Sequence, residues 1–271
     1  MRQYVHGYSD REAGRLADQA DSVRELIHGD TLFAPGDRVL EPGCGIGAQT
    51  FPLARCFPQV RFTSFDLSAG SLERASASMG EVANVNLLRA DLMTPPFKEG
   101  EFDVVLVSYL LEHVPDPARA LAIMQRLLKP GGKLYVVEGD HGSCYFHPET
   151  DPARRAWACL IEVQRRLEGD SLIGRRLYPL LTEAGFADVK VSPRMVYADE
   201  SRPHLMVAFV EKTIVPMVQG AREAALEWGL IDADTFDRGI DDLMTVSQAP
   251  GGAFCYTFFK ATASQPETRG R

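Results

Sequence analysis

The sequence lacks any apolar run long enough to cross a bilayer. Its longest such stretch, residues 104–111, spans eight residues, whereas a membrane helix needs about 20. Residues 1–10 also lack the apolar core of a secretory signal. From these absences we expect a cytoplasmic protein with no membrane partner.

An excess of positive charge is missing as well. Lys and Arg total 29 against 37 Asp and Glu, which gives a formal net charge of −8. Such a chain is poorly suited to bind phosphate backbones, so we expect no nucleic-acid partner. The five cysteines are odd in number and no two lie close together, which excludes a simple disulfide framework and the common zinc patterns.

What the sequence does contain is an alternation of short apolar segments with helical ones between residues 38 and 138. Residues 102–108 are nearly all apolar, as expected for a strand covered on both faces of a parallel sheet. The alternation predicts an α/β fold: a doubly wound, mostly parallel seven-stranded sheet with an antiparallel last strand. An N-terminal helix and a helical lid insertion complete the predicted fold.

The same rhythm predicts the domain boundaries. We expect the fifth strand at residues 133–138, followed by a polar, glycine-containing loop that runs to residue 147. The predicted parts are an N-terminal helical cap (1–35), a ligand-binding sheet domain (36–200 and 250–263), a helical lid (201–249) and a disordered tail (264–271).

A glycine-rich loop follows the first predicted strand, in the sequence Glu41-Pro42-Gly43-Cys44-Gly45-Ile46-Gly47-Ala48. Glycines here let the chain turn sharply and let a ligand approach the backbone at the carboxyl edge of the sheet. Gly43, Gly45 and Ala48 satisfy the dinucleotide fingerprint. Asp66, after the second strand, can accept hydrogen bonds from ribose hydroxyls of NAD or of another adenosine ligand.

Acidic residues distinguish these two ligands. Glu41, Asp66 and Asp91 each follow or end a predicted strand and therefore share one edge of the sheet. Carboxylates crowded around the loop would repel a pyrophosphate, whereas they would attract an ammonium or a sulfonium cation. This acidic edge of the sheet therefore favours a ligand that combines an adenosyl group with a positive charge.

These residues carry a resemblance to the class I S-adenosylmethionine (SAM)-dependent methyltransferases, in particular to the ubiquinone and menaquinone methyltransferase branch. The resemblance extends from about Val39 to Glu138. It rests on the matching segments Val39–Gly47, Asp66, Ala90–Leu92, Phe102–Val105, Leu111–Val114 and Leu127–Gly132.

The resemblance implies a role for each matching residue. Glu41 would hold the ammonium group of SAM, Asp66 the ribose hydroxyls and Asp91 the adenine edge, while an N-terminal helix would close over the cofactor. The residues that it assigns to the cofactor are Tyr8, Gln19, Glu41, Gly43, Gly45, Gln49, Asp66, Leu67, Asp91, Leu92, Ser108, Tyr109 and His113.

Methyl transfer needs an aligned acceptor and sometimes a base. His141 is the candidate base because imidazole titrates near neutral pH, and Asp140 or Glu138 would orient it. The alternative is that this segment is only a packed, hydrogen-bonded loop. The candidate substrate-binding residues are Tyr145, His147, Arg175, Tyr178 and Tyr197. No metal is expected, since the histidines lack a ligand spacing.

The sequence thus predicts a SAM-dependent methyltransferase that acts on O, N or C of a small-molecule metabolite and releases S-adenosylhomocysteine. Two alternatives stay open: an NAD-type oxidoreductase on a similar sheet, and a non-catalytic SAM-binding regulatory protein. We expect a monomer or a homodimer.

Overall fold

The computed structural model describes residues 23–267. The predicted cofactor residues Tyr8 and Gln19 lie outside the described residues, as do most of the predicted N-terminal cap and residues 268–271. The described chain begins in a helical segment, residues 23–28, and enters the first strand at Arg38.

The strands and helices follow one another in the predicted order. The strands are β1 (Arg38–Pro42), β2 (Arg61–Asp66), β3 (Val85–Arg89), β4 (Phe102–Ser108), β5 (Leu128–His147), β6 (Ala187–Asp199) and β7 (Ala253–Ser264). The α-helices are α1 (Thr50–Cys56), α2 (Ala69–Ser78), α3 (Pro117–Leu127), α4 (Asp151–Arg166), α5 (Leu177–Glu183), α6 (Pro203–Leu205), α7 (Val215–Gly220), α8 (Arg222–Glu227) and α9 (Ala233–Thr245). Short 3₁₀ turns lie at Leu111–His113 and Ile173–Arg176, and a π-helical segment at Met206–Ile214.

The seven strands form one sheet in the order β3-β2-β1-β4-β5-β7-β6. Strands β1 to β5 pair in parallel, and the last strands are antiparallel, so the predicted doubly wound fold is confirmed. The strand order reverses between β1 and β4, and ligands of such sheets bind outside the carboxyl ends of the strands at that point. The glycine loop leaves β1 there.

The chain divides into two compact units. Among the described residues, the glycine-loop unit comprises 27–139, 173–193 and 259–267, and the insertion unit comprises 23–26, 140–172 and 194–258. The segment between β6 and β7 that contains the predicted lid, residues 201–249, is largely helical, and its role as a lid stays a prediction. It shares its unit with α4 and with the distal parts of β5, β6 and β7, an arrangement that differs from the predicted separate insertion.

The core of the glycine-loop unit explains why these segments fold as they do. The buried side chains of β4 alternate between two apolar clusters: Val105 and Val107 pack with helix α3, whereas Val104 and Leu106 pack with helix α1. Helix α3 begins at the Asp116 cap, whose carboxylate accepts from the amide of Arg119 at 2.9 Å. Burial on both faces fixes β4 as a central strand, as its composition predicts.

Strand β5 is longer than the sequence predicts. It runs from Leu128 to His147, so the predicted loop after Glu138 is wrong. The glycines in this segment suggested a loop, but Cys144 and Phe146 are buried while Tyr145 and His147 are exposed. This period of two is the signature of a half-buried strand.

A buried lysine fixes the segment before β1 to strand β7. Lys260 is 1% exposed, and its Nζ donates to the carbonyl of Ile27 at 2.9 Å, to Oδ1 of Asp30 at 2.5 Å and to Oγ1 of Thr31 at 2.6 Å. A buried ammonium is stable only when its donors are satisfied in this way. None of the helices among residues 23–267 has the length and apolarity that a membrane span requires.

We predict that Lys260→Met lowers the free energy of unfolding by roughly 2–4 kcal/mol, because methionine keeps the stem but removes every donor. Urea unfolding measures the change. The exposed Lys133→Met on β5 is the matched control and should change stability by less than about 0.5 kcal/mol. Equal stability of the two variants would contradict a structural role for Lys260.

Candidate functional site

The glycine loop takes its shape from two kinds of constraint. The amides of Gly43 and Cys44 both donate to the carbonyl of Phe65 on β2, at 2.7 and 3.1 Å. Gly43 and Gly45 have φ angles of 70° and 53°, which favour glycine. A Cβ on Gly43 would lie 2.6 Å from Cδ1 of Leu110, whereas one on Gly45 would meet no atom within 4 Å. The loop is therefore packed from behind at Gly43 and open at Gly45.

Asp66 ties this loop to the next one. Its Oδ2 accepts from the amide of Gly45 at 2.9 Å, and its Oδ1 accepts from the amide of Ser68 at 2.8 Å. Ser68 in turn caps helix α2. The neighbouring Leu67 side chain is 63% exposed, which is unusual for a leucine beside a buried strand end. The structure thus brings the predicted residues Gly45, Asp66 and Leu67 together.

Glu41, the penultimate residue of β1, carries a buried carboxyl group. Its Oε2 accepts from Oγ1 of Thr50 and from Oγ of Ser64, the latter at 3.0 Å. Burial raises the pKa of Glu41 from 4.5 to about 7, the two hydroxyls oppose this, and the charge of Asp66 adds to it. Glu41 therefore lies near half-ionisation at neutral pH.

The predicted cofactor residues after β3 and before α1 differ in their exposure and in their partners. Asp91 is exposed and accepts from the amide of Met93 at 2.8 Å, but Leu92 is packed in the apolar core. Gln49 precedes helix α1, and its Oε1 lies 3.0 Å from Nε2 of His28. The amide oxygen of Gln49 is thus already engaged within the protein.

The segment after β4 has an unusual backbone. Tyr109 has a φ angle of 55°, and its amide donates to the carbonyl of Val137 at 2.8 Å. Oγ of Ser108 is buried with no hydrogen-bond partner within residues 23–267. Nε2 of His113 lies 3.6 Å from Oε1 of Glu112. A buried hydroxyl without a partner at a strand end is a group that a ligand can satisfy.

The backbone after β4 binds the carboxyl group of Glu138. Its Oε1 accepts from the amides of Leu110 and Leu111, at 3.0 and 2.7 Å. Burial, and then the nearby charge of Glu112, raise the pKa of Glu138 well above its ordinary value. The predicted pairing of Glu138 with His141 stays a prediction.

His141 is held by an aromatic partner that the sequence did not indicate. Its Nδ1 lies 2.7 Å from the hydroxyl of Tyr256 on β7, and its backbone carbonyl accepts from Nε1 of Trp157 at 2.8 Å. Asp140 precedes His141 on the same strand, and its Oδ1 accepts from the amide of Gly142 at 2.9 Å. That Asp140 orients His141 stays a prediction.

The predicted substrate residues are divided between the two units. Arg175 and Tyr178 belong to the glycine-loop unit, and Tyr145, His147 and Tyr197 to the insertion unit. All five side chains are exposed. Their common role in one site stays a prediction.

Several residues that contact the predicted ones were not predicted. In the glycine-loop unit these are Thr50, Ser64 and Leu110, and in the insertion unit Tyr256. Ser64 pairs in register with Glu41 across two parallel strands, but only the structure gives that register.

Comparison with known proteins shows which of them part of this chain resembles. Residues 40–136 match the family model described as a methyltransferase domain. The chain is 37% identical over 124 residues to a demethylmenaquinone methyltransferase of Lactococcus lactis, covering 43% of this chain and 49% of that protein. It is 30% identical over 229 residues to an uncharacterized 37.1 kDa protein in transposon TN4556 of Streptomyces fradiae, covering 83% of this chain and 63% of that protein. The chain thus spans less than two thirds of either relative.

A solved structure agrees at the level of the fold. Phosphoethanolamine N-methyltransferase 2 of Haemonchus contortus, in complex with phosphomonomethylethanolamine and S-adenosylhomocysteine, superposes with a TM-score of 0.59 at 17% identity. The match covers 96% of this chain and 59% of that one. At this identity the likeness concerns the fold alone.

The burial of Glu41 predicts a pH-dependent stability. The folded state holds the Glu41 proton up to about pH 7 and the unfolded state only to about 4.5, so the free energy of unfolding falls by about 3 kcal/mol as pH rises through this window. Glu41→Gln removes this effect. Between about pH 5 and pH 8 its stability relative to wild type should therefore improve by about 2–3 kcal/mol.

Urea unfolding at both pH values measures this difference. The exposed Glu81→Gln is the matched control and should show no such change. If Glu41→Gln and wild type differ in free energy of unfolding by the same amount at both pH values, Glu41 does not bind a proton in the folded state as predicted.

Proposed function

We propose that the chain, whose residues 40–136 match a methyltransferase domain, is a class I SAM-dependent methyltransferase that transfers the methyl group of SAM to a small-molecule metabolite. The observation that carries the proposal is the link from Gly45 to Asp66 at the point where the strand order reverses. This hydrogen bond joins Gly45, where a ligand can approach the backbone, to Asp66, whose carboxylate can bind ribose hydroxyls.

The proposed cofactor contacts follow from the groups at this edge. Asp66 accepts from the ribose hydroxyls, and the exposed Leu67 packs on the adenine ring. Glu41 attracts the ammonium group of SAM, because a cation favours the ionised form of a carboxyl whose pKa is about 7. Gly43 and Gly45 border the methionine portion of the ligand.

Further contacts come from the neighbouring strand ends. Asp91 binds the adenine amino group through its exposed carboxylate, and Leu92, which packs in the core, lines the adenine edge beside it. The hydroxyl of Ser108 donates a hydrogen bond to the ligand, and Tyr109 and His113 lie beside the ligand in the same segment. When bound, SAM supplies the methyl group and its own leaving group, so the chain's residues have only to bind, align and exclude water.

For acceptors that must lose a proton, we propose His141 as the base, held through Nδ1 by Tyr256. The exposed Tyr145, His147, Arg175, Tyr178 and Tyr197 remain the proposed substrate-binding residues. The atom methylated is O, N or C of a small metabolite. Comparison gives no support to an NAD-type oxidoreductase or to a non-catalytic role. Placement in the cytoplasm, the absence of a nucleic-acid partner, and a monomeric or homodimeric state stay predictions.

The function is tested by turnover. Purified protein is incubated with SAM and a fractionated metabolite extract, and S-adenosylhomocysteine is quantified by mass spectrometry together with any product heavier by one methylene. We expect acceptor-dependent release of S-adenosylhomocysteine. Binding of NAD with no binding of SAM in calorimetry would overturn the proposal.

A substitution at Asp66 tests the cofactor contacts. Asp66→Ala should weaken SAM binding by about 1–3 kcal/mol, because it removes a charged acceptor for the ribose and the partner of Gly45. Isothermal titration with SAM measures the effect. Asp37→Ala is the matched control: its Oδ2 also accepts a backbone amide, from Ala34 at 2.7 Å, before β1 begins. Equal SAM affinity in the Asp66 variant and wild type would remove Asp66 from the site.

A further inference from the structure

Glu138 is a fully buried carboxyl group that no lysine or arginine within residues 23–267 neutralises. Its Oε1 accepts hydrogen bonds from the amides of Leu110 and Leu111. Its Oε2 is buried and has no hydrogen-bond partner among residues 23–267. Burial, and then the charge of Glu112, raise the pKa of this carboxyl well above its ordinary value, which favours the protonated form. Glu138 is thus a buried acceptor for two consecutive backbone amides.

These two amides belong to the segment that supports the glycine loop. Cδ1 of Leu110 lies 2.6 Å from the position that a Cβ of Gly43 would occupy, so the leucine packs directly on the glycine. The preceding Tyr109 adopts a left-handed φ of 55°, a conformation that is unfavourable for tyrosine unless the backbone on either side is fixed. Leu111 is fully buried in the apolar core. The shape of the glycine loop therefore depends on where the backbone of residues 109–111 is held.

We propose that Glu138 is a positioning residue of the cofactor site, which holds Leu110 against Gly43 through the backbone after β4 and takes no part in proton transfer. The inference rests on the proposed function, because it assigns Glu138 to the site where SAM binds. It replaces the expected role of Glu138 beside His141. The path has two steps, from the Glu138 carboxyl to the Leu110 amide and from the Leu110 side chain to Gly43.

Each step has its own variant. Glu138→Gln keeps an acceptor at Oε1 with nearly the same shape, whereas Glu138→Leu keeps the bulk and removes the acceptor. Leu110→Ala leaves the hydrogen bonds to Glu138 in place but removes the contact with Gly43. Glu112→Gln, which changes the neighbouring acid, is the matched control.

Two measurements are made on each full-length variant. Amide hydrogen exchange reports whether the amides of residues 110 and 111 stay protected, and calorimetry gives the affinity for S-adenosylhomocysteine. We expect Glu138→Leu to lose protection and to weaken binding by at least about tenfold. Leu110→Ala should keep protection at residue 111 and weaken binding similarly. Glu138→Gln and Glu112→Gln should stay within about threefold of wild type in binding, with protection intact.

Other outcomes overturn the inference. Loss of protection in Glu138→Leu with unchanged affinity would separate Glu138 from the cofactor site. Weak binding by Glu138→Gln with intact protection would assign the effect to the carboxyl itself. If Glu138→Leu does not fold, Leu110→Ala still tests the proposal. Normal affinity of Leu110→Ala for S-adenosylhomocysteine would show that the contact between Leu110 and Gly43 does not matter for cofactor binding. A wild-type protein that binds neither SAM nor S-adenosylhomocysteine refutes the proposed function itself, and does so before any variant is compared.

Discussion

Two carboxyl groups at the carboxyl edge of the sheet are buried without a basic partner anywhere in residues 23–267. Glu41 is the penultimate residue of β1, and Glu138 lies on β5. Burying an ionised carboxylate without compensation is costly, so each site must supply donors, a proton or a ligand cation. The hydroxyls around Glu41 and the amides around Glu138 meet part of this requirement.

Much of the fold follows from local patterns in the sequence. The apolar strand β4, the glycines before α1 and the capping residues Ser68 and Asp116 act through neighbours a few positions away, so the sequence indicates them directly. The part of strand β5 beyond Glu138 was not predicted because Gly139 and Gly142 resemble loop residues, and the alternation of buried and exposed side chains becomes visible only beyond them. Glycine is a weak indicator of a loop when neighbouring strands supply the hydrogen bonds.

The candidate site could be predicted only in part, for a related reason. Sheet topology brings strand ends to one edge, so the acids Glu41, Asp66 and Asp91 could be found from the order of strands alone. Their partners depend on register and on distant contacts. Tyr256 meets His141 across 115 positions of sequence, and nothing local to either residue indicates that pairing. Residues that carry charge at strand ends are thus predictable, whereas residues that orient them are not.

The two buried acids differ in the kind of hydrogen-bond donor that binds them, and this difference suits them to different roles. Glu41 is bound by the hydroxyls of Thr50 and Ser64, which rotate about single bonds and can turn to other acceptors when a cation approaches. Glu138 is bound by backbone amides, whose directions are fixed by the chain. A carboxyl held by rotatable donors can change its ionisation at little structural expense. One held by backbone amides cannot lose them without moving the loop, so Glu41 is suited to meet a ligand and Glu138 to support the backbone around it.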